Sequence, residues 1–237
     1  MKKNKLLAIL MVLMTIYVSS CGEKCIEPSG GIITDNRDLE AFSGLDIQIP
    51  ANVTIIAGGA PSISIKAQES FVNAISTAIG RNTLKVKGNL CKASNDDVEI
   101  VVTTKQFDDI SISGSANLNS DTPLRSDDLE LTINGSGNIL LGVFTRNTYC
   151  NVDGSGLITL NGTSQKLDVR LNGSGEFNGL GFNSFKAKVK INGSGNASIV
   201  THDKLSADIV GSGNINYSGD PKIDMSISGS GKLNKIN

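Results

Sequence analysis

Adjacent carboxylates are where hydrolytic chemistry would be sought first, and this chain has three such pairs, Asp96-Asp97, Asp108-Asp109 and Asp127-Asp128. Glycan-cleaving enzymes need two carboxyl groups facing one bond. Neighbours on a strand point to opposite faces, so a pair in sequence is not a pair in space. The acids read instead as solvated turn residues. His202, the sole histidine, stands between Thr201 and Asp203, in an expected turn. It has no second histidine or cysteine cluster that would make it a metal ligand or a general base. The serines of the recurring Gly-Ser-Gly triplets lack the Gly-x-Ser-x-Gly spacing and the strand-to-helix turn of a nucleophile elbow. Neither catalysis, a metal nor a cofactor is expected.

The one chemical modification that the sequence does write out lies near its start. Residues 1–5 are basic, Leu6 to Val18 is largely apolar, and Val18-Ser19-Ser20-Cys21 closes the segment. The run is too short and one-sided for a comfortable membrane span. It resembles an export signal ending in a bacterial lipobox, which makes residues 1–20 a signal peptide and Cys21 the acylated first residue. Acyl chains contribute about 0.8 kcal/mol per buried methylene, so two or three of them hold a soluble domain on a membrane. The expected location is the bacterial cell envelope, most simply the outer membrane, facing either the periplasm or the outside. Cys150 falls at an inward position and is expected as a buried hydrophobe. Cys25 and Cys91 are left as a possible disulfide in an oxidising compartment.

The elements that must carry these residues are set by a repeat. Gly-Ser-Gly recurs with its glycines at Gly135 and Gly137, Gly154 and Gly156, Gly173 and Gly175, Gly193 and Gly195, Gly211 and Gly213, and Gly229 and Gly231, after a degenerate copy at Gly114. Intervals between first glycines run from 18 to 21 residues. Six, four and two residues before the first glycines of the six full copies the chain is apolar except at Thr148, as in Leu129, Leu131, Ile133 and Leu167, Val169, Leu171. That alternation marks strands with one buried face. Each unit reads as strand, glycine corner, second strand.

A unit of this size must bury its apolar face on its neighbours. A meander of hairpins is one solution. A parallel β-solenoid with coils of about 19 residues is the other, and it is favoured because every copy keeps the same side chains at the same offsets. The glycines then act as structural turns, offering positive φ or room for a tight corner. Ser136 and its equivalents form one column, and Asn134, Asp153, Asn172 and Asn192 form an amide ladder. A calcium roll is not expected: its period is shorter and needs Asp after the second glycine, whereas these copies continue with Asn138, Leu157, Glu176, Asn196, Asn214 and Lys232.

Upstream, residues 21–38 with Pro28-Ser29-Gly30-Gly31 read as a lipidated tether. Residues 39–237 read as one domain, with irregular coils over 39–113 and regular coils over 114–237. Strand alternation fills 39–113 except at Glu69 to Ile79, where Phe71, Val72, Ile75, Ala78 and Ile79 lie on a helical stripe. One short helix is expected there, covering the first coils.

The stretches Arg37 to Leu45, Ala51 to Ile55 and Thr83 to Val86, followed by the Gly-Ser-Gly repeats, resemble the head GIN domain of auto-transporter adhesins, common in exported proteins of Bacteroidetes. The resemblance covers about residues 37–237. It implies an all-β, right-handed parallel β-helix and an adhesin-like role, with no catalytic or ligand residues to carry over. This chain departs from the family's label in having a lipobox and no visible autotransporter barrel.

Formal net charge is −1, and loss of Lys2, Lys3 and Lys5 with the signal makes it −4. An acidic balance argues against nucleic acid as a partner. Without tryptophan, and with only Tyr149 and Tyr217 beyond the signal, a specialised aromatic sugar pocket is not expected, though recognition along a flat face is open. The expected function is a non-catalytic, lipid-anchored adhesin or surface-binding module for polysaccharide or a surface protein. A structural protein that self-associates as a homo-oligomer through its ends is the alternative, and a polysaccharide-cleaving enzyme ranks last.

Overall fold

The computed structural model describes residues 25–91 and 93–236. The chain winds into a β-solenoid of about seven turns with coils of about 19 residues. The regular part consists of β10 (Leu124–Gly135), β11 (Asn138–Gly154), β12 (Leu157–Gly173), β13 (Glu176–Gly193), β14 (Asn196–Gly211), β15 (Asn214–Ser218), β16 (Lys222–Gly229) and β17 (Lys232–Lys235). All of these pair in parallel, and each first glycine stacks on the first glycine of the preceding coil, as in Gly154 on Gly135 and Gly173 on Gly154. Register this strict follows from the period-two pattern, because a one-residue slip would turn every apolar side chain outward.

Inside the coils the columns run like on like. Leu131, Cys150, Val169, Val189 and Ala207 stack in one, and Ile133, Val152, Leu171, Ile191 and Ile209 in the next, all buried. Where Phe177 fills the interior, the next coil offers Ala197 at the same place, so volume is shared between neighbours.

The two glycines of each triplet do different work. Gly173 has φ +113°, and a Cβ there would lie 2.7 Å from the Gly154 carbonyl oxygen. The second glycine, Gly175, needs no positive φ, but a Cβ on it would sit 2.5 Å from Val152 Cγ1. First glycines therefore turn the chain, while second glycines let coils approach. Ser174 N–H closes the corner on Gly154 O at 2.9 Å.

At the N-terminal end the coils are not stacked in chain order. β2 (Gly44–Ile47) lies between β6 (Thr83–Lys87) and β8 (Asp109–Gly114), and β3 (Asn52–Ala57) lies between β7 (Val98–Thr104) and β9 (Asn117–Ser120). The chain thus starts one layer in, passes to the end and returns past its own beginning. Antiparallel strands flank that end layer: β4 (Ser62–Gln68) on β7, β1 (Ile32–Asp38) on β4, and β5 (Ser76–Gly80) on β6.

Two expectations about this end change. Helix α1 spans only Glu69–Ala74. Phe71, Val72 and Ile75 are buried, but Ala78 and Ile79 belong to β5, which turns back through Arg81 and Asn82, both at positive φ, in a tight hairpin of the kind such conformations permit. The segment read as a tether over 21–38 is part of the domain over its described length. Ile32–Asp38 is a strand, Ile26 bridges Leu90, and a disulfide joins Cys25 to Cys91 with Cα atoms 5.0 Å apart. The free N–H groups of α1 find acceptors in this segment, Glu69 on Gly31 O and Ser70 on Ser29 O, which satisfies donors that a helix start otherwise leaves open. Cys21 and the signal segment lie outside the described residues.

Candidate functional site

The acids are engaged by structural partners, and Asp108, Asp127 and Asp128 come together with Gln106 and Ser126 around one surface pocket. Asp97 accepts from the Ser94 backbone N–H at 2.7 Å and the Ser94 hydroxyl at 2.8 Å, and these bonds hold its carboxyl below the usual range. Its neighbour Asp96 accepts from Asn52. Asp108 accepts from Gln106 and Ser126, Asp127 pairs with Arg146 at 3.1 Å, and Asp128 accepts from Asn147 at 2.6 Å. Asp109 is pushed up by desolvation first, then by Glu130 and Asp46 on adjacent coils. His202 is exposed within β14 rather than in a free turn, with Asn183 Oδ1 3.4 Å away. Cys150 is buried and unpaired, and burial raises its thiol pKa far above the ordinary value. Among the described residues no cluster of His, Cys, Asp or Glu could hold a metal.

The polar columns at the corners are internal bracing. Asn172 donates to Asp153 at 2.6 Å and Asn192 to Asn172 at 3.0 Å. A second ladder follows the second glycine or the alanine in its place, through Asn52, Asn117 and Asn138, and again through Asn196 and Asn214. At the opposite corner Ser164 and Ser184 are buried and donate to Lys166 O and Val200 O. Thr145 lies in register with Ser164, and its hydroxyl bonds that of Thr148 at 2.6 Å. This hydroxyl corner sits nine residues before four of the first glycines, at Ser126, Thr145, Ser164 and Ser184. That regularity is present in the same alignment that reveals the inward positions.

What remains is a groove of about 410 Å³ on the outer face of β11 to β14. Its walls are two outward columns separated by one inward residue per coil. One wall carries Lys166, Lys186 and Lys204, which lie in register on successive coils, with Lys222 next in line. The other carries Tyr149, Asp168, Lys188 and Ser206, also in register. Leu167 and Ala187 form the floor. Tyr149 is 41% exposed. Lys186 reaches Asp203 at 3.7 Å and Asp168 is engaged by Arg170 at 3.3 Å. Among the described residues, Lys166, Lys188, Lys204 and Lys222 make no ion pair. The lysines fall seven residues before their first glycines, so this row too is legible in the repeat, on the face opposite the inward pattern.

Residues 41–221 match the family described as "Putative auto-transporter adhesin, head GIN domain". The chain belongs to this family. Solved structures share the fold of this head GIN domain. A putative adhesin from Bacteroides fragilis NCTC 9343 is 24% identical with TM-score 0.83, over 89% of this chain and 100% of that one. A putative lipid binding protein from Parabacteroides distasonis ATCC 8503 is 26% identical with TM-score 0.76, over 90% and 100%. A putative adhesin from Parabacteroides merdae ATCC 43184 is 22% identical with TM-score 0.70, over 90% and 99%. No curated protein matches this chain.

Proposed function

We propose that the protein is a lipid-anchored envelope lipoprotein whose β-solenoid is a non-catalytic adhesin, a rigid rod that presents one face to polysaccharide or another surface molecule. The groove between the lysine and tyrosine columns is the observation that carries this reading: an open trough spanning several coils suits a ligand lying along the rod. Family membership supports the same role. The engagement of the acid pairs with structural partners supports binding over hydrolysis. The lipobox at Cys21 supports the anchor. The test is fractionation together with adhesion. Cys21→Ala should move the protein from membranes to the soluble fraction, and purified protein should adhere to cells or immobilised glycans without releasing product. Membrane retention of the variant would refute the anchor, and ligand cleavage would refute the non-catalytic role.

A second reading, self-association, is favoured by the last coil. Ile223, Met225 and Ile227 continue the interior columns of β14 yet are 43%, 62% and 39% exposed. An edge strand with apolar side chains is a template for pairing. Met225→Lys should abolish any concentration-dependent growth in solution scattering, and a parent that stays monomeric at high concentration would reject this reading.

A further inference from the structure

We propose that the lysine-lined groove binds a linear acidic polysaccharide laid along the solenoid axis, its anionic groups in step with the coils. This rests on the surface-binding role and specifies its ligand. Lys166, Lys186, Lys204 and Lys222 occupy one column, with neighbours about 4.8 Å apart and the row roughly 14 Å long. Like charges directly opposite on adjacent strands are destabilising, and elsewhere they occur as isolated pairs, Arg170 opposite Lys190 and Asp109 opposite Glu130. Other outward positions pair opposite signs, as in Lys190 with Asp208 and Arg146 with Asp127, or use neutral amides, as in Asn117 with Asn138. Among the described residues, only in this row does positive charge repeat on four successive coils, with Lys186 alone of the four reaching a carboxylate. A chain bearing one anion per sugar or per few sugars supplies the missing counter-charges.

The facing wall adds sugar chemistry. The exposed Tyr149 ring offers a flat apolar surface to a pyranose C–H face, and the Ser206 hydroxyl and the Asp168 carboxylate can meet ring hydroxyls. The trough is open along its length, so it takes the middle of a chain rather than an end. Its charge is one side chain wide. Asp168 and Asp203 flank the lysines, and the whole chain is slightly acidic, which disfavours the broad anionic surface of a duplex or a bilayer.

The test uses the purified full-length protein with polygalacturonate as probe, dextran as its neutral counterpart, and oligo-dT and phosphatidylglycerol vesicles as competing anions. Polygalacturonate should bind, dextran should not, and affinity should fall steeply with added salt. Lys166→Gln/Lys204→Gln should weaken binding by about tenfold or more while Lys166→Arg/Lys204→Arg retains it, since the term at stake is charge. Tyr149→Ala should weaken it without changing the salt dependence. All these positions are exposed, and unchanged melting without ligand confirms folding. Equal binding by the glutamine variant, equal binding of dextran, or tighter binding of oligo-dT or vesicles overturns the proposal. Adhesion to whole cells, measured on the same proteins, separates the two levels. Adhesion that survives in the glutamine variant overturns the groove assignment alone. Polygalacturonate binding by a parent that adheres to no cell surface supports the groove and overturns the adhesin role.

Discussion

Gly173→Ala should be far more damaging than the smallness of one methyl group suggests. Two costs add at this corner. An L residue held at φ +113° is in sparsely populated backbone space, at about 1–3 kcal/mol. The new Cβ would lie 2.7 Å from Gly154 O, so the coils must part or shift, and overpacking of this kind costs about 1–3 kcal/mol. Together the loss is about 2–6 kcal/mol. In a domain of this size each kcal/mol moves Tm by about 2–4 °C, so the variant should melt about 4–24 °C below the parent. Ser174→Ala, one residue on, changes an exposed side chain and should stay within about 0.5 kcal/mol. Circular dichroism melts of both variants, with Gly175→Ala as a test of coil contact at ordinary φ, decide the matter. A Gly173→Ala protein that melts with the parent would refute the division of labour between first and second glycines.

Cys25→Ser/Cys91→Ser should lower the denaturant midpoint, because the bridge closes a loop of 66 residues, worth about 4 kcal/mol in the chain-entropy view; an unchanged midpoint would mean that the segment before β1 is held without it. Cys150 should resist thiol reagents in the native protein and react only as fast as the solenoid unfolds, since it is buried and its thiolate is suppressed; fast labelling at neutral pH would contradict this. Asp109 holds its proton more tightly folded than unfolded, so its contribution to stability falls as pH rises through its titration. Asp109→Asn should therefore be more stable than the parent at neutral pH, with the difference vanishing below the ordinary carboxylate range. A gain that persists in acid would point to another cause.

Inward residues were the legible part of this fold. Leu131, Val152 and Val189 are where alternation puts them, because burial on one face leaves a period-two trace in any strand. The lysine row and the hydroxyl corner are equally periodic, seven and nine residues before the glycines, but hydropathy does not weigh polar residues by identity. Residues 69–79 were ambiguous for a physical reason. Phe71, Val72 and Ile75 fit a helical stripe, while Thr77 and Ile79 also fit a strand, and tertiary pairing with β6 decides between them. The segment before residue 38 carries Pro and Gly and looks like linker. Its order comes from partners distant in sequence, Gln68, Leu90 and Cys91, which local composition does not report.

The layer order at the N-terminal end governs how the rod can be assembled. β2 has one edge against β6 and the other against β8, so it must wait, with both edges open, while the chain runs out to one side and then comes back along the other. Loop closures of that length are slow relative to neighbour-on-neighbour stacking. Residues up to Ser120 consequently depend on long-range closures, whereas each later coil needs only the coil before it and can be laid down one after another. Removing one regular repeat, for example 155–173, shortens the rod and keeps those closures, but a chain cut after Gly88 leaves β2 with a bare edge and nothing on which the rest can grow.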